Sequence, residues 1–297
     1  MVPSYCPTRE SSSLLIDIRG LRLHVRCWDA GAAPERTIVA LHGWMDVSAS
    51  FQFLVDELPA TWRVLAPDWR GYGDSSRTSA DCYWFPDYLA DLDQLLDALS
   101  PGGSVDLVGH SMGGNVATLY AGVRPQRVRR LVNLDGTGLP ATDPARAPRQ
   151  YARWLDDLKS GKRLRSYADH EEVVQLLRTA NPRLRPDFAA FLAQHWSEPD
   201  EEGRLRLRAD PAHKIGNPTL YRVEETVAIW REIIAPVLWV TPDQLDRWHE
   251  FTGTDEYRSR LQALSRVEFA TVTGSGHMLH HDQPRAVAAL IKEFLER

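Results

Sequence analysis

The chain has 297 residues, 43% hydrophobic and 25% charged, an ordinary globular composition with length enough for a sizeable buried core. A formal net charge of −5 excludes any general attraction to nucleic acid or to an anionic membrane surface. The three cysteines, Cys6, Cys27 and Cys82, are odd in number and match neither CxxC nor a zinc spacing, so they read as free thiols in a reducing compartment. No apolar stretch of about 7–15 residues follows basic residues near the start, and no run reaches about 18 apolar residues. The expectation is a cytoplasmic protein acting on a small-molecule substrate, with no nucleic-acid or membrane partner and a homodimer left open.

In chain order, 14–18 and 21–28 are short β-prone segments joined at Arg19-Gly20, which suits a hairpin. The texture then changes. The runs 37–43, 63–68, 105–110 and 128–136 are nearly unbroken apolar segments, the pattern of strands buried on both faces of a parallel sheet. Between them, 87–99 places Leu89, Leu92, Leu95, Leu96 and Leu99 on one helical face, and 112–123 reads as a small-residue helix. From about Pro140 to Ile234 the strand signal fades into amphipathic helices separated by proline-rich turns. The α/β rhythm returns at 236–241, with a helix near Glu256–Leu264, a strand at 267–272 and a closing helix. The fold class is therefore α/β, with a core of 1–139 and 235–297 and a helical cap inserted at 140–234.

Ser111 lies between a buried strand and a helix, with Gly109 and Gly113 two residues to either side. A sharp strand-to-helix turn holds its central residue at strained angles and crowds the flanking positions, so glycine fits there. Such a turn presents the hydroxyl at the C-terminal sheet edge, beside the free N–H groups of the next helix. A serine hydroxyl needs a base. His277 follows the last predicted strand behind Gly274-Ser275-Gly276, whereas His280 and His281 read as surface residues or as the start of the final helix. A metal reading of this H-x-x-H-H run has no second ligand pair to support it, so no metal or cofactor is expected. The acid that would orient His277 stays open among Asp135, Asp243 and Asp246, all at predicted strand ends. Two N–H donors are expected for a developing oxyanion, from Met112 and Trp44.

Five segments, "LHGWMD" (41–46), "APDWRGYGDS" (66–75), "GHSMGG" (109–114), "PVLWV" (236–240) and "GSGHMLHHDQP" (274–284), resemble the α/β-hydrolase fold superfamily in order and spacing. The resemblance covers about residues 14–295 and is weakest in the cap. It implies a mostly parallel eight-stranded sheet flanked by helices, with Ser111 as nucleophile and His277 as base. It also implies an acid after the seventh strand. Pro242 stands where that pattern has glycine; counting from it favours Asp246 over Asp243, while relatives with the acid after strand six would use Asp135. Haloalkane dehalogenases and epoxide hydrolases carry aspartate at the turn, so Ser111 argues against both. The implied activity is ester cleavage through an acyl-enzyme on a small to medium apolar or aromatic acyl group. C–C bond or lactone hydrolysis and a low-turnover ligand receptor are the alternatives. Trp44, Trp84, Trp154, Trp196 and Trp230 are candidates to line the substrate pocket. A dinucleotide site is excluded, because "GHSMGG" lacks the G-x-G-x-x-G spacing.

Overall fold

The computed structural model describes residues 4–78, 82–246 and 249–297. Strands β1 (Ser12–Ile18) and β2 (Leu21–Trp28) form the expected antiparallel hairpin. Arg19 and Gly20 both take positive φ, 48° and 73°, as the two central residues of a type I′ turn must. There follow β3 (Arg36–Leu41), the short helix α1 (Gln52–Val55), β4 (Trp62–Pro67), α2 (Phe85–Leu99), β5 (Val105–His110), α3 (Met112–Val123) and β6 (Val128–Leu134). The inserted segment holds α4 (Ala147–Ser160), β7 (Ser166–Tyr167), α5 (His170–Ala180), α6 (Pro186–Trp196), β8 (Ser197–Pro199), β9 (Leu205–Leu207) and α7 (Val223–Arg231). The chain closes with β10 (Val237–Pro242), α8 (Asp255–Leu261), β11 (Val267–Val272), α9 (Leu279–Asp282) and α10 (Pro284–Glu296).

Eight strands make one sheet in the order β1-β2-β4-β3-β5-β6-β10-β11. β2 pairs antiparallel with β1 and β4, and every other pairing is parallel. The unbroken apolar runs are explained by alternation within buried strands. Val39, Leu107 and Leu131 face α2 and α3, whereas Ile38, Val108 and Val132 face α1 and α10. Both faces are covered, so both must be apolar.

The insertion supplies extra helices that form a cap region. It also contains a three-stranded antiparallel sheet, β7-β9-β8, that the helical reading of this stretch did not include. These strands are two or three residues long, too short to leave an alternating signal. Helices α5 and α6 bury Val173, Leu177, Phe188 and Leu192 against Val47, Ala49 and Phe53 of the segment after β3. The rings of Phe53 and Phe188 stack at 3.7 Å. Helix α7 packs instead on α3, so closely that a Cβ at Gly122 would lie 2.1 Å from the carbonyl oxygen of Ile229. Among the described residues, no helix is long and apolar enough to cross a membrane.

Candidate active site

Sheet register brings three chain segments to one edge. Leu41 of β3 pairs with Gly109 of β5, and His110 of β5 pairs with Leu134 of β6. The residues that follow these strand ends, His42-Gly43, Ser111 and Asp135, therefore emerge side by side at the C-terminal edge. The strand order reverses between β3 and β5, where open α/β sheets place their ligands.

Ser111 sits at φ 51° and ψ −118°, a conformation costing about 1–3 kcal/mol in a non-glycine residue. Its amide donates to the Leu134 carbonyl, and its own carbonyl accepts from Asn115 in α3. The flanking glycines are needed: the expected crowding between them is there, and Gly113 is also pressed against the neighbouring strand. A Cβ at Gly109 would meet the Gly113 carbonyl oxygen at 2.4 Å, while a Cβ at Gly113 would meet that of Leu41 at 2.1 Å. The turn is thus wedged against its own helix and against the neighbouring strand. Gly43 is less confined, but a Cβ there would still be 3.1 Å from His110 Nδ1 and 3.2 Å from the Ser111 Cβ.

His277 reaches this point from the loop after β11. Its Nε2 lies 2.9 Å from Ser111 Oγ and its Nδ1 lies 2.6 Å from Asp135 Oδ2. The loop is held from several sides. Ser275 N–H donates to Asp243, Gly276 N–H donates to Asp282, and Gln244 N–H donates to the Ser275 carbonyl. His110 Nε2 lies 2.8 Å from the His277 carbonyl, so it donates there and leaves Nδ1 without its hydrogen.

The structure brings Asp135, and neither Asp243 nor Asp246, to His277. Asp135 follows β6 at φ 56°, and its amide donates to Val240 of β10. Asn133 braces the turn, accepting from Gly136 N–H and donating to Thr118 of α3. Asp243 is a loop cap for Ser275, held below the usual carboxylate range by backbone N–H groups of Gly274 and Ser275. Asp246 lies 3.0 Å from Nδ1 of His249, whose Nε2 lies 2.8 Å from Asp135 Oδ2. The favoured carboxylate is therefore one imidazole away from the one that touches His277. Sequence reading missed His249; it sits in "DRWHEF" with no motif around it.

His280 and His281, expected at the surface or at the start of the final helix, lie in the short helix α9 just before α10, and both are buried. Burial and neighbouring histidines push His280 well below the ordinary imidazole value, and burial takes His281 down to about 4. Among the described residues, three groups bring metal-ligating atoms within 4.8 Å of one another: Asp46 with His110 and His280, Asp135 with His249 and His277, and His24 with Asp68 and Asp74. None is the H-x-x-H-H trio. The third is joined by a hydrogen bond between His24 Nδ1 and Asp68 Oδ2 at 2.8 Å.

Of the expected pocket tryptophans, Trp44 and Trp84 are half exposed, and Trp44 Nε1 donates to the His213 carbonyl of the cap. Trp196 of α6 is partly buried and donates from Nε1 to Ser50, and Trp154 of α4 is partly buried. Trp230 is a core residue, buried in the cluster under α3 with its ring 5.5 Å from that of Trp239. The cap is anchored where His213 stacks between Tyr72 and Tyr83, at 3.8 and 3.6 Å.

Comparison with known proteins agrees with this architecture. The chain is 28% identical to "Serine hydrolase-like protein" of Danio rerio, over 97% of this chain and 89% of that one. It is 33% identical to "Epoxide hydrolase 3" of Siraitia grosvenorii, over 96% of this chain and 98% of that one. A solved structure, "Thioesterase Domain From Curacin Biosynthetic Pathway", superposes with a TM-score of 0.84 at 26% identity, over 95% of this chain and 99% of that one. The family profile described as "Alpha/beta hydrolase family" matches residues 38–290, which run from within β3 to α10 and leave out the first hairpin. Strand order, the serine turn at the sheet edge and this match describe one architecture, and the chain belongs to the alpha/beta hydrolase family.

Proposed function

We propose that this chain is a serine hydrolase that cleaves carboxylic esters through an acyl-enzyme. The observation that carries the reading is the continuous line from Ser111 Oγ through His277 to Asp135, at 2.9 and 2.6 Å. An ionised Asp135 accepts from Nδ1–H, which leaves Nε2 as the lone pair facing the hydroxyl, the tautomer a general base needs. His277 takes the serine proton as Oγ attacks the ester carbonyl. The first N–H of α3, on Met112, and the N–H of Trp44 beside Gly43 stabilise the oxyanion. The protonated ring then returns its proton to the leaving alcohol, and water releases the acid by the same route. No cofactor enters these steps. Residues 140–234 form the lid over a core of 1–139 and 235–297, and Trp44, Trp84, Trp154 and Trp196 contribute apolar surface for the acyl group.

The 33% identity to an epoxide hydrolase raises a second reading. The serine at position 111 weighs against it, because the epoxide hydrolases of this superfamily attack with a carboxylate. C–C bond or lactone hydrolysis would use the same three residues. A panel of activated esters, lactones, ring-cleavage diketones and epoxides separates these readings. The ester reading expects a burst of alcohol release that matches the enzyme concentration, with a mass adduct equal to the acyl group. Epoxide turnover without any ester burst would overturn it.

A further inference from the structure

We propose that His249 is a positioning residue for the acid–base pair, a second imidazole that holds the Asp135 carboxylate in place for His277. The inference rests on the hydrolase reading above. Both rings address the same oxygen: Oδ2 of Asp135 lies 2.6 Å from His277 Nδ1 and 2.8 Å from His249 Nε2. A carboxylate only accepts, so both nitrogens carry hydrogen. The other oxygen, Oδ1, is buried with no hydrogen-bond partner among the described residues. The orientation of the acid therefore depends on these two donors, and His277 must change its own charge and contacts during turnover. His249 is the one that can stay fixed. Its ring is buried, its carbonyl accepts from both the N–H and the hydroxyl of Thr252, and its N–H donates to the Asp246 carbonyl.

The other side of the ring keeps this donor in place across a change of charge. Nδ1 of His249 lies 3.1 Å from the Asp246 amide nitrogen and 3.0 Å from Asp246 Oδ1. Neutral His249 accepts the amide hydrogen at Nδ1. Protonated His249 donates from Nδ1 to the carboxylate instead. In both states Nε2–H remains on Asp135. Among the described residues, the charged and titratable groups facing the ring are Asp135, Asp246 and His277, with Tyr257 beyond Asp135. Burial pulls the His249 imidazole down, but the two carboxylates outweigh it and its value is raised overall. Hydrogen bonds to a carboxylate of this kind are strong, so removing the donor is expected to lower kcat about 10- to 100-fold.

The test compares His249→Phe, His249→Gln and Asp246→Asn in the full chain, with kcat and KM for an activated ester measured across pH and thermal unfolding as a control. His249→Phe should lose kcat with KM nearly unchanged. His249→Gln keeps an N–H donor and should recover most of the rate, which a purely structural role would not produce. Asp246→Asn keeps its backbone N–H and should stay close to the native rate. The inference is overturned if folded His249→Phe turns over normally, or if His249→Gln is as impaired as His249→Phe. Should His249→Phe fail to fold, an Asp246→Asn rate as low as that of Asp135→Asn overturns it as well. Ser111→Ala separates the two claims: a rate that survives that change removes the hydrolase reading itself, whatever His249 does.

Discussion

Replacing Asp135 with asparagine keeps the shape of the side chain and removes its charge. In the native protein the carboxylate oxygen is 2.6 Å from His277 Nδ1 and fully shielded from solvent. In the proposed reaction His277 takes the serine proton, which puts a positive charge about 4 Å from the carboxylate centre. At an effective dielectric of about 20 that attraction is about 4 kcal/mol, or roughly 10³-fold in rate. The amide adds a second penalty, since its NH₂ can turn towards His277 and favour the tautomer with no lone pair facing Ser111. In a well-studied serine protease the same change costs about 10⁴-fold. Asp135→Asn should therefore lower kcat by about 10³- to 10⁴-fold with KM little changed. Initial rates on an activated ester give the number, and a melting curve shows that the variant is folded. Asp246→Asn and Asp243→Asn belong in the same experiment. A folded Asp135→Asn within tenfold of native, or an Asp246→Asn as damaged as Asp135→Asn, would refute the reasoning.

Gly113→Ala should give little soluble protein, because its Cβ would sit 2.1 Å from a backbone oxygen of β3 that cannot retreat. Gly161→Ala, at φ 64° and ψ 177° with open space around it, meets no clash and should fold, losing about 1–3 kcal/mol to backbone strain alone; equal melting temperatures for the two variants would contradict the wedge between α3 and β3. Acid should destabilise the fold through its buried histidines. Burial takes His42 and His281 down to about 4 and His213 to about 3, and it lowers His110 and His280 well below the ordinary imidazole value. The unfolded chain then binds protons that the folded one refuses. Their contribution is whole above about pH 6.5 and is lost as pH falls from 6.5 to about 4, by about 1.4 kcal/mol per pH unit for each such ring. Asp46, pushed up to about 7 by burial, offsets part of this by taking a proton in the folded state. Urea midpoints at pH 7.5 and pH 5 should differ clearly, and a flat profile would contradict the neutral assignment. Trp230→Ala should cost about 3–5 kcal/mol as a core cavity. Trp84→Ala, half exposed, should leave stability within about 0.5 kcal/mol.

The strands and the serine turn were legible because their signals are local. Val105–His110, Met112–Val123 and Val267–Val272 begin and end where the apolar pattern does. Ser111 and His277 could be paired because each follows a strand and is flanked by glycine. The acid could not be read the same way. Asp135, Asp243 and Asp246 all end strands, and only sheet register shows that the residue after Leu134 stands beside the one after His110. A count taken after β10 led to Asp246, which meets His249 rather than His277. His280 and His281 could be read as surface residues or as the start of the final helix; they lie in α9, just ahead of that helix, which turns both inward against Phe51 and Phe53. Trp230 carries no mark that separates a pocket tryptophan from a core one; its packing against Trp239 does.

The most direct measurement is reaction of the purified chain with a fluorophosphonate, read by intact mass and peptide mapping. A single adduct on Ser111, absent from Ser111→Ala and strongly slowed in His277→Ala, is the expected result. An adduct that persists in folded Ser111→Ala, or that forms on another residue at the native rate, would contradict the assignment of the nucleophile.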